Sequence, residues 1–300
     1  MELRQLKYFV RLAETLNFSE AAKMLFITQS TLSQQIKQLE QELDTQLLIR
    51  TSRSVTLTEA GEEFLPYARR TILDSEECEA RIRDLKNLLC GTLNIGVTYT
   101  FSPMLTESLV SFMKLYPKVK LNIFYRPMAE LMDMLRERQV DFVLGFKPTK
   151  EIDGIESHPL FRNFLAAIVG TLHPLATKES ISLKELSTYE LALPAQGLQA
   201  RNTFDKIIER YPTDLNIRVE LNEVNILLKL IRQNHLVSVL AEATIHNERD
   251  VKAIPIEIPN NEMDGCVHTL HGTYYKKAMR EFIRILSDSA AVRERVNSWL

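Results

Sequence analysis

Residues 29–38 carry side chains whose types and spacing suit the reading of nucleic-acid bases. The stretch holds hydroxyls, carboxamides and one lysine, and it contains no acidic residue. Carboxamides and hydroxyls hydrogen-bond to base edges, and an α-helix fits the major groove of duplex DNA. We therefore expect double-stranded DNA to be a partner of this segment. The side chains predicted to contact it are Gln29, Ser30, Thr31, Ser33, Gln34 and Lys37.

Two short helices joined by a tight turn would hold these side chains in place. The apolar residues that recur at helical spacing in the second helix are Leu32, Ile36, Leu39 and Leu43. Ser19 and Thr28 are the predicted N-caps of the two helices, and the small pair Ala21 and Ala22 would let another helix approach closely. A solvated surface helix is the alternative. Two caps, a turn and an acid-free face occurring together favour DNA reading.

A basic hairpin is predicted directly after the two helices. Residues 45–58 contain Arg50 and Arg53 and no acidic residue. A polar tip at residues 51–54 separates two mainly apolar triplets, which is typical of a short β-hairpin. An arginine there can enter a minor groove or bind a phosphate. We therefore add both arginines to the predicted DNA-binding set.

This segment resembles the winged helix-turn-helix of the LysR-type transcriptional regulators. The matching residues are Ala21-Ala22, Leu25, Thr28-Gln29-Ser30-Thr31-Leu32-Ser33, Leu39-Glu40, Arg50, Arg53 and Leu57-Thr58-Glu59-Ala60-Gly61. Ser30 stands where the family often has proline, Asp44 where it has glycine and Leu48 where it has phenylalanine. Aspartate tolerates the left-handed conformation that ends a helix, so the change at Asp44 is mild. The resemblance implies a sequence-specific regulator of transcription.

Composition and charge are those of an ordinary soluble protein. The 300 residues are 45% hydrophobic and 25% charged, with a formal net charge of -2. Binding to DNA should therefore depend on a few well-placed cations. No apolar run approaches membrane-spanning length, and the N-terminus lacks a signal-peptide apolar region. We expect a cytoplasmic protein with no membrane partner.

An enzyme and a thiol-based redox regulator are the competing classes. The sequence shows no Gly-rich phosphate loop, nucleophile elbow or metal-ligand cluster, so we expect no catalytic residues, no cofactor and no metal. Cys78, Cys90 and Cys266 are too few and too scattered for a disulfide framework or a zinc site. Buried packing is the expected role of each. A redox-responsive regulator without a metabolite ligand is kept as the alternative function.

A long helix is predicted after the hairpin, capped by Thr58 and continuing to about residue 89. Gly61 and Pro66 lie in its first turns, where the glycine would permit close packing on the preceding unit. Spacings of four and three alternate through Phe64, Ala68, Thr71, Ser75, Cys78, Ile82, Leu85 and Leu89. Such a seam predicts pairing with another chain, and packing on its own domain is the alternative. In the family this helix mediates dimerisation, which implies a homodimer or homotetramer.

Strand and helix patterns alternate through the rest of the chain. Strands are predicted at residues 92–97, 119–125, 140–146, 164–170, 189–193, 217–221 and 237–240, with a return strand at 269–274. Helical patterns separate most of them, which predicts a mostly parallel sheet covered by helices on both sides. Two such lobes would enclose a cleft, and small ligands bind where the carboxyl ends of strands meet a crevice.

This region resembles the family's effector-binding domain, which is itself similar to periplasmic solute-binding proteins. The landmarks are Tyr116-Pro117, Val140-Asp141, His173-Pro174-Leu175-Ala176 and Leu183-Lys184-Glu185-Leu186. The implied fold class is α/β multidomain. It comprises a mostly α winged helix-turn-helix at residues 1–58, a linker/dimerisation helix at 59–89 and a two-lobed α/β effector domain at 90–300. Lobe I would span about 90–161 and 266–300, and lobe II about 162–265.

A small-molecule effector is expected in the cleft, with an anion as one candidate. Thr98 and Thr100 follow the first strand and precede a helix, where hydroxyls and a helix N-terminus can bind an anion. In the family, hydroxyl residues at these two positions bind effector. Gln199 and Arg201 open a helix of lobe II, and Arg201 could pair bidentately with an acid. The predicted apolar wall consists of Met128 and Phe146. A capping or core role is the alternative for each of these residues.

Overall fold

The computed structural model describes residues 1–300 except 52–53, 86–89, 149, 234, 247, 260, 291 and 293–300. The chain divides into two compact units, Met1–Leu88 and Leu89–Leu300. Among the described residues, no helix is long and apolar enough to cross a membrane.

The first unit is a group of helices followed by a two-stranded hairpin and a long helix. Its elements are α1 (Leu3–Thr15), α2 (Phe18–Met24), α3 (Gln29–Glu42), β1 (Leu48–Arg50), β2 (Val55–Leu57) and α4 (Glu59–Leu85). In the antiparallel hairpin, Leu48 faces Leu57 and Arg50 faces Val55. The two helices and the basic hairpin that the sequence predicts are therefore present.

Two of the predicted helix signals are confirmed, and one is wrong. Thr28 Oγ1 accepts a hydrogen bond from the backbone N–H of Thr31 at 3.2 Å, as expected of an N-cap. Asp44 has a φ of 48°, the left-handed conformation expected after α3. The cap of α2 is Asn17 and not Ser19, because α2 begins at Phe18 and the Asn17 side chain accepts from two backbone N–H groups of its first turn.

The seam predicted along α4 is divided between two environments. The Phe64 ring lies 5.4 Å from the Phe9 ring, and Ala68 is buried in the core of the first unit. This part of α4 packs on its own domain, which was the alternative prediction. Further along, Cys78 is exposed and the Ile82 side chain is 54% exposed. The last predicted seam residue, Leu89, lies outside the described residues.

The second unit contains most of the strands. Its elements are β3 (Gly91–Val97), α5 (Ser102–Leu115), β4 (Val119–Tyr125), α6 (Met128–Arg136), β5 (Phe142–Phe146), β6 (Ile155–Gly170), α7 (Leu183–Leu186), β7 (Leu191–Pro194), α8 (Gln199–Arg210), β8 (Ile217–Leu221), α9 (Val224–Gln233), β9 (Ser238–Ala241), β10 (Val251–Pro255), β11 (Glu262–Leu270) and α10 (Lys277–Ser287). Short 3-10 helices lie at Tyr99–Phe101, Pro174–Thr177 and Glu242–Ile245.

A seven-stranded sheet connects the two lobes of this unit. Its strand order is β10-β6-β11-β5-β3-β4, with β9 also paired to β6, while β7 and β8 pair separately. Among the named strands that the structure describes, β4-β3-β5 and β7-β8 pair parallel, whereas β6, β9, β10 and β11 pair antiparallel. Isolated parallel bridges also join Ile181 to Ile256 and Leu191 to Val237. The prediction of a mostly parallel sheet is therefore right for only part of it. The predicted return strand is present and pairs with β5, but its predicted bounds of 269–274 are wrong, because β11 occupies Glu262–Leu270.

The strand β6 passes from one lobe to the other. Residues Ile155 to Phe164 pair with β11, and Ala166 to Gly170 pair with β10. The crossing strands place the carboxyl ends of β3, β4 and β5 opposite the start of α8. That arrangement forms a cleft lined by the predicted effector residues other than Arg201.

Candidate DNA-reading surface and effector cleft

Buried apolar side chains orient α3 so that its acid-free face is open to solvent. Leu32, Ile36 and Leu39 are fully buried and pack in the same core as Phe9 and Ala21. The predicted contacts on this helix that are exposed are Gln29, Ser30, Thr31, Gln34 and Lys37, and Ser33 is half-buried. The helix therefore presents these polar groups on an accessible surface.

A network of hydroxyls orders the first turn of α3. Thr28 Oγ1 lies 2.9 Å from Ser30 Oγ and 2.8 Å from Thr31 Oγ1. The Ser19 hydroxyl donates to Gln29 Oε1 at 3.0 Å. Ser19 thus connects α2 to α3, although it does not cap α2. The network holds three of the predicted contacts in fixed positions.

Gln34 and Lys37 differ from the residues of the first turn. Neither side chain forms a hydrogen bond or ion pair with another described residue. An exposed carboxamide and an exposed ammonium in the middle of an acid-free face are available to an external acceptor or donor. The geometry therefore allows Gln34 to bind a base edge and Lys37 to bind a base or a phosphate.

The hairpin is fastened to α3 by Glu40. Its Oε1 accepts from the backbone N–H groups of Leu47 at 3.0 Å and Leu48 at 3.2 Å, and its Oε2 accepts from Arg50 at 2.6 Å. The Arg50 guanidinium also lies 5.2 Å from the centre of the Phe18 ring. Arg50 is thus committed to intramolecular contacts that position the hairpin. Arg53 lies outside the described residues.

The first predicted effector loop lines a small cavity at the carboxyl ends of β3 and β4. Its volume is about 30 Å³, close to the share of one water molecule in the liquid. Thr98 is buried and donates its hydroxyl to Leu144 O at 3.4 Å, whereas Thr100 is half-buried and its hydroxyl has no partner among the described residues. Thr98, Thr100, Met128 and Gln199 all line this cavity.

A carboxamide bridge crosses the cleft next to this cavity. Gln199 Oε1 accepts from the Phe146 backbone N–H at 3.1 Å, and Gln199 Nε2 donates to Phe146 O at 2.9 Å. Phe146 ends β5 and packs its ring 5.4 Å from Phe101, while Gln199 begins α8. The bridge therefore joins the two lobes through one side chain.

A second, larger cavity lies on the other side of the bridge. Its volume is about 620 Å³, within the range of sites that bind small molecules. Met128 and Gln199 line both cavities, so the carboxamide bridge divides a single cleft into two compartments. The charged residues that line the larger compartment are the cations Lys147, Lys206 and Arg210 and the carboxylates Glu262 and Asp264.

Arg201 lies away from these two compartments. Its side chain is 6% exposed. The guanidinium donates to Asp205 Oδ1 at 2.7 Å, to Pro194 O at 3.1 Å and to the Glu220 carboxylate. Two carboxylates and a carbonyl already satisfy the groups that a bound acid would use. The structure therefore places Arg201 in a buried ion-pair network, and not beside Thr100.

Sequence reasoning missed the cations that do line the cleft. Arg126 lines the smaller compartment, donates to the neighbouring carbonyl of Tyr125 at 2.8 Å and lies 3.7 Å from Glu130. Its position immediately after β4 was the available signal, because the carboxyl ends of parallel neighbours meet at one edge. Lys147 follows β5 in the same way.

The cysteines do not favour a redox function. Cys266 is buried, as predicted, and burial raises the pKa of its thiol to about 11. The reactive form of cysteine is the thiolate, which this environment suppresses. Cys78 is exposed and Cys90 is half-buried, so the prediction of burial is wrong for Cys78. In the described part of the chain, no three His, Cys, Asp or Glu side chains are grouped so as to hold a metal ion.

Comparison with known proteins identifies the class to which this architecture belongs. Residues 3–62 match the model of the bacterial regulatory helix-turn-helix proteins of the lysR family, and residues 86–291 match the LysR substrate binding domain. An HTH-type transcriptional regulator of Escherichia coli, YnfL, is 33% identical over 80% of this chain and 82% of its own. YvbU of Bacillus subtilis, also an HTH-type transcriptional regulator, is 28% identical over 89% of both chains.

Solved structures show the same fold over nearly the whole chain. A full-length OxyR variant from Pseudomonas aeruginosa has a TM-score of 0.71 at 24% identity, covering 98% of this chain and 95% of its own. CbnR, solved in complex with its target DNA, has a TM-score of 0.67 at 22% identity, covering 97% and 100%. An N-terminal helix-turn-helix joined to a substrate-binding domain defines a DNA-binding transcriptional regulator with an effector-binding domain. The chain belongs to the LysR family of such regulators.

Proposed function

We propose that α3 reads operator DNA, with Gln34 and Lys37 as its central contacts. The observation that carries this proposal is the exposed, acid-free face on which these two side chains lack intramolecular partners among the described residues. The first-turn residues Gln29, Ser30 and Thr31, together with the half-buried Ser33, would contact neighbouring bases or phosphates. Arg50 would position the hairpin, and Arg53 would supply its phosphate or minor-groove contact.

Replacing Gln34 with alanine is expected to weaken binding to the preferred DNA sequence by about 1 to 3 kcal/mol and to relax the preference at one base pair. The reason is that a carboxamide can form two hydrogen bonds with an adenine, and alanine can form none. Fluorescence anisotropy on a duplex selected from a random pool, and on a scrambled duplex, would measure the change. Gln139→Ala, an exposed glutamine of the other unit, is the matched control. Equal loss on both duplexes would show that Gln34 does not read bases.

We propose that a small-molecule effector binds in the divided cleft. The residues proposed to contact it are Thr98, Thr100, Met128, Phe146 and Gln199, which line the two compartments. Arg126 is the charged residue lining one compartment, and the other is lined by Lys147, Lys206 and Arg210 against Glu262 and Asp264. This small excess of positive charge supports an anionic effector. Arg201 would instead stabilise α8 within lobe II, because its buried guanidinium is already paired with Asp205 and Glu220.

Effector binding would control DNA binding by linkage. Gln199 and Phe146 join the lobes directly, so a molecule that replaces or strengthens their bridge would favour one lobe arrangement over another. A ligand alters a second binding site only to the extent that it prefers one of the two states. We propose that the lobe arrangement is the state that couples the effector to the DNA-binding unit.

Replacing Thr100 with valine is expected to cost about 1 to 3 kcal/mol in effector binding, because valine keeps the shape of threonine and removes a hydroxyl that lines the cavity. DNA binding without effector should be unchanged. Metabolites suggested by the genes beside sites bound in cells would be screened by calorimetry. Thr106→Val, which alters an exposed threonine of α5, is the control. Wild-type affinity in Thr100→Val would move the effector away from this loop.

The protein is proposed to act as a homodimer or homotetramer. The exposed Ile82 and Cys78 continue the predicted seam beyond the part of α4 that packs on its own domain. We propose residues 1–58, 59–89 and 90–300 as the DNA-binding, linker and effector-binding parts, with lobes I and II divided near residues 161 and 266.

Membership of a family of transcriptional regulators supports a non-enzymatic role. It also supports a location in the cytoplasm, where the DNA is found.

A further inference from the structure

Phe26 occupies the turn between α2 and α3 with almost all of its ring in solvent. Its side chain is 95% exposed, and among the described residues only Leu172 is another large apolar residue exposed to a comparable degree. The ring therefore gains nothing from the core of its own unit. An aromatic ring fully exposed beside a binding surface is a candidate contact for a partner.

The backbone of Phe26 is also in a conformation that aromatic residues disfavour. Its φ is 56°, in the left-handed region. The Phe26 N–H donates to Lys23 O at 3.1 Å, and the Ile27 N–H donates to Ala22 O at 3.0 Å, which together end α2 in a Schellman motif. Glycine is the usual residue at this position because it has no Cβ. The backbone strain at Phe26 costs free energy, and burial of the ring does not offset that cost. We therefore look for a role of the ring in binding a partner.

The location of the ring identifies the partner. Phe26 precedes Thr28, the N-cap of the proposed reading helix, by two residues. The acid-free stretch of α3 extends back through this turn, so that residues 21–39 contain no carboxylate and include the exposed Lys23. The surface around the ring is therefore suited to a polyanion, and it is continuous with the DNA-reading face.

We propose that the Phe26 ring contacts duplex DNA beside the bases that α3 reads. The apolar groups that DNA offers to such a ring are the thymine methyl in the major groove and the face of a deoxyribose. The contact would offset the backbone strain in the bound state only. This inference rests on the proposed role of α3 in reading DNA.

Phe26→Gly in the full-length chain tests the inference, because stability and DNA binding should change in opposite directions. Relief of the left-handed strain should raise the temperature at which the DNA-binding unit unfolds by about 1 to 3 °C. Binding to a duplex selected from a random pool with the wild-type chain should weaken about three- to tenfold. Leu16→Gly is the matched control, since Leu16 has a φ of 49° in the other interhelical turn and is 44% exposed. It should gain stability without losing DNA affinity.

Deoxyuridine in place of thymidine distinguishes the two DNA groups. If the ring contacts a thymine methyl, the substitution weakens wild-type binding and leaves Phe26→Gly unaffected. If it contacts a sugar, the loss in Phe26→Gly is the same on thymidine, deoxyuridine and scrambled duplexes. Either pattern supports the inference.

Three results would overturn it. Lower stability in Phe26→Gly would mean that the ring supports the fold. Wild-type affinity on every duplex would exclude a DNA contact, and loss of transcriptional activity alone would assign the ring to a protein partner. Gln34→Ala separates this failure from a failure of the reading helix: if Gln34→Ala weakens specific binding while Phe26→Gly does not, only the present inference is lost.

Discussion

Replacing Gly61 with alanine is expected to lower the free energy of unfolding of the DNA-binding unit by about 3 kcal/mol, the upper end of the usual cost of overpacking. A Cβ at this position would lie 2.1 Å from the carbonyl oxygen of Leu47 and 3.1 Å from its carbon. Both neighbours belong to the backbone, so a change of rotamer cannot relieve the contact. Denaturant unfolding of the full-length chain, followed by circular dichroism, would measure the loss.

The Leu47 carbonyl cannot easily move aside. It accepts the Thr58 N–H at 3.0 Å, and the Leu47 N–H donates to Glu40 at 3.0 Å. Glu40 also binds Arg50, so displacement of Leu47 would disturb the hairpin and weaken DNA binding as well. Glu62→Ala, one residue further along the same helix and exposed, is the control. Wild-type stability in Gly61→Ala would show that α4 can shift along the first domain at little cost.

Local signals were sufficient to predict the reading helix. Thr28, the apolar spacing and the absence of acids are all contained within about four turns of chain. The N-cap of α2 was missed because Asn17 and Ser19 are both good caps and stand two residues apart. In the structure α2 begins at Phe18, which packs against the core, and this start makes Asn17 the cap. The left-handed Asp44 was predictable because the requirement is a property of the residue itself.

The crossing strands were harder to predict because they contain residues that usually end strands. Pro159 lies inside β6, and Asp264-Gly265, a typical turn pair, lies inside β11. The structure accommodates both at one irregularity, where the register shifts between Gly265 and Cys266. Gly265 is needed there because a Cβ would lie 2.5 Å from the Phe161 ring. These contacts join residues about a hundred positions apart, and no local pattern encodes them.

Arg201 and Arg126 show that side-chain partners, like the crossing strands, are set by contacts between distant parts of the chain and cannot be predicted from local sequence. Arg201 was a reasonable anion contact by its place at the start of α8. Its ion pair with Glu220, on β8, depends on the parallel pairing of β7 with β8 and is invisible from sequence spacing. Arg126 carries charge into the cleft because of where β4 lies in the sheet. The sequence predicts which loops form the cleft, and the folded partners decide which cations remain available to a ligand.

Acid is expected to destabilise the second unit through His268, by about 3 kcal/mol between pH 6.5 and pH 4. His268 is fully buried on β11, and burial lowers its pKa from 6.5 to about 4. Its Nε2 lies 3.2 Å from Gly145 O, which can only accept, so the neutral ring carries its proton there and accepts from Ser157 at Nδ1. Below pH 6.5 the unfolded chain gains a proton that the folded one does not, so stability falls until the pH reaches about 4.

His268→Gln should remove this dependence, because the carboxamide can donate to Gly145 O and accept from Ser157 without titrating. Urea unfolding of the full-length chain at intervals from pH 7 to pH 4 would compare the variant with the wild type. The slope of unfolding free energy against pH should be shallower in the variant between pH 6.5 and pH 4, and the two curves should become parallel towards pH 7. Parallel curves for His268→Gln and wild type down to pH 4 would mean that the acid sensitivity arises elsewhere.

The place of His268 in the fold matters for function because its partner Gly145 adjoins Phe146, the residue that Gln199 binds across the cleft. Protonation of His268 would therefore disturb the strand end on which the lobe bridge depends.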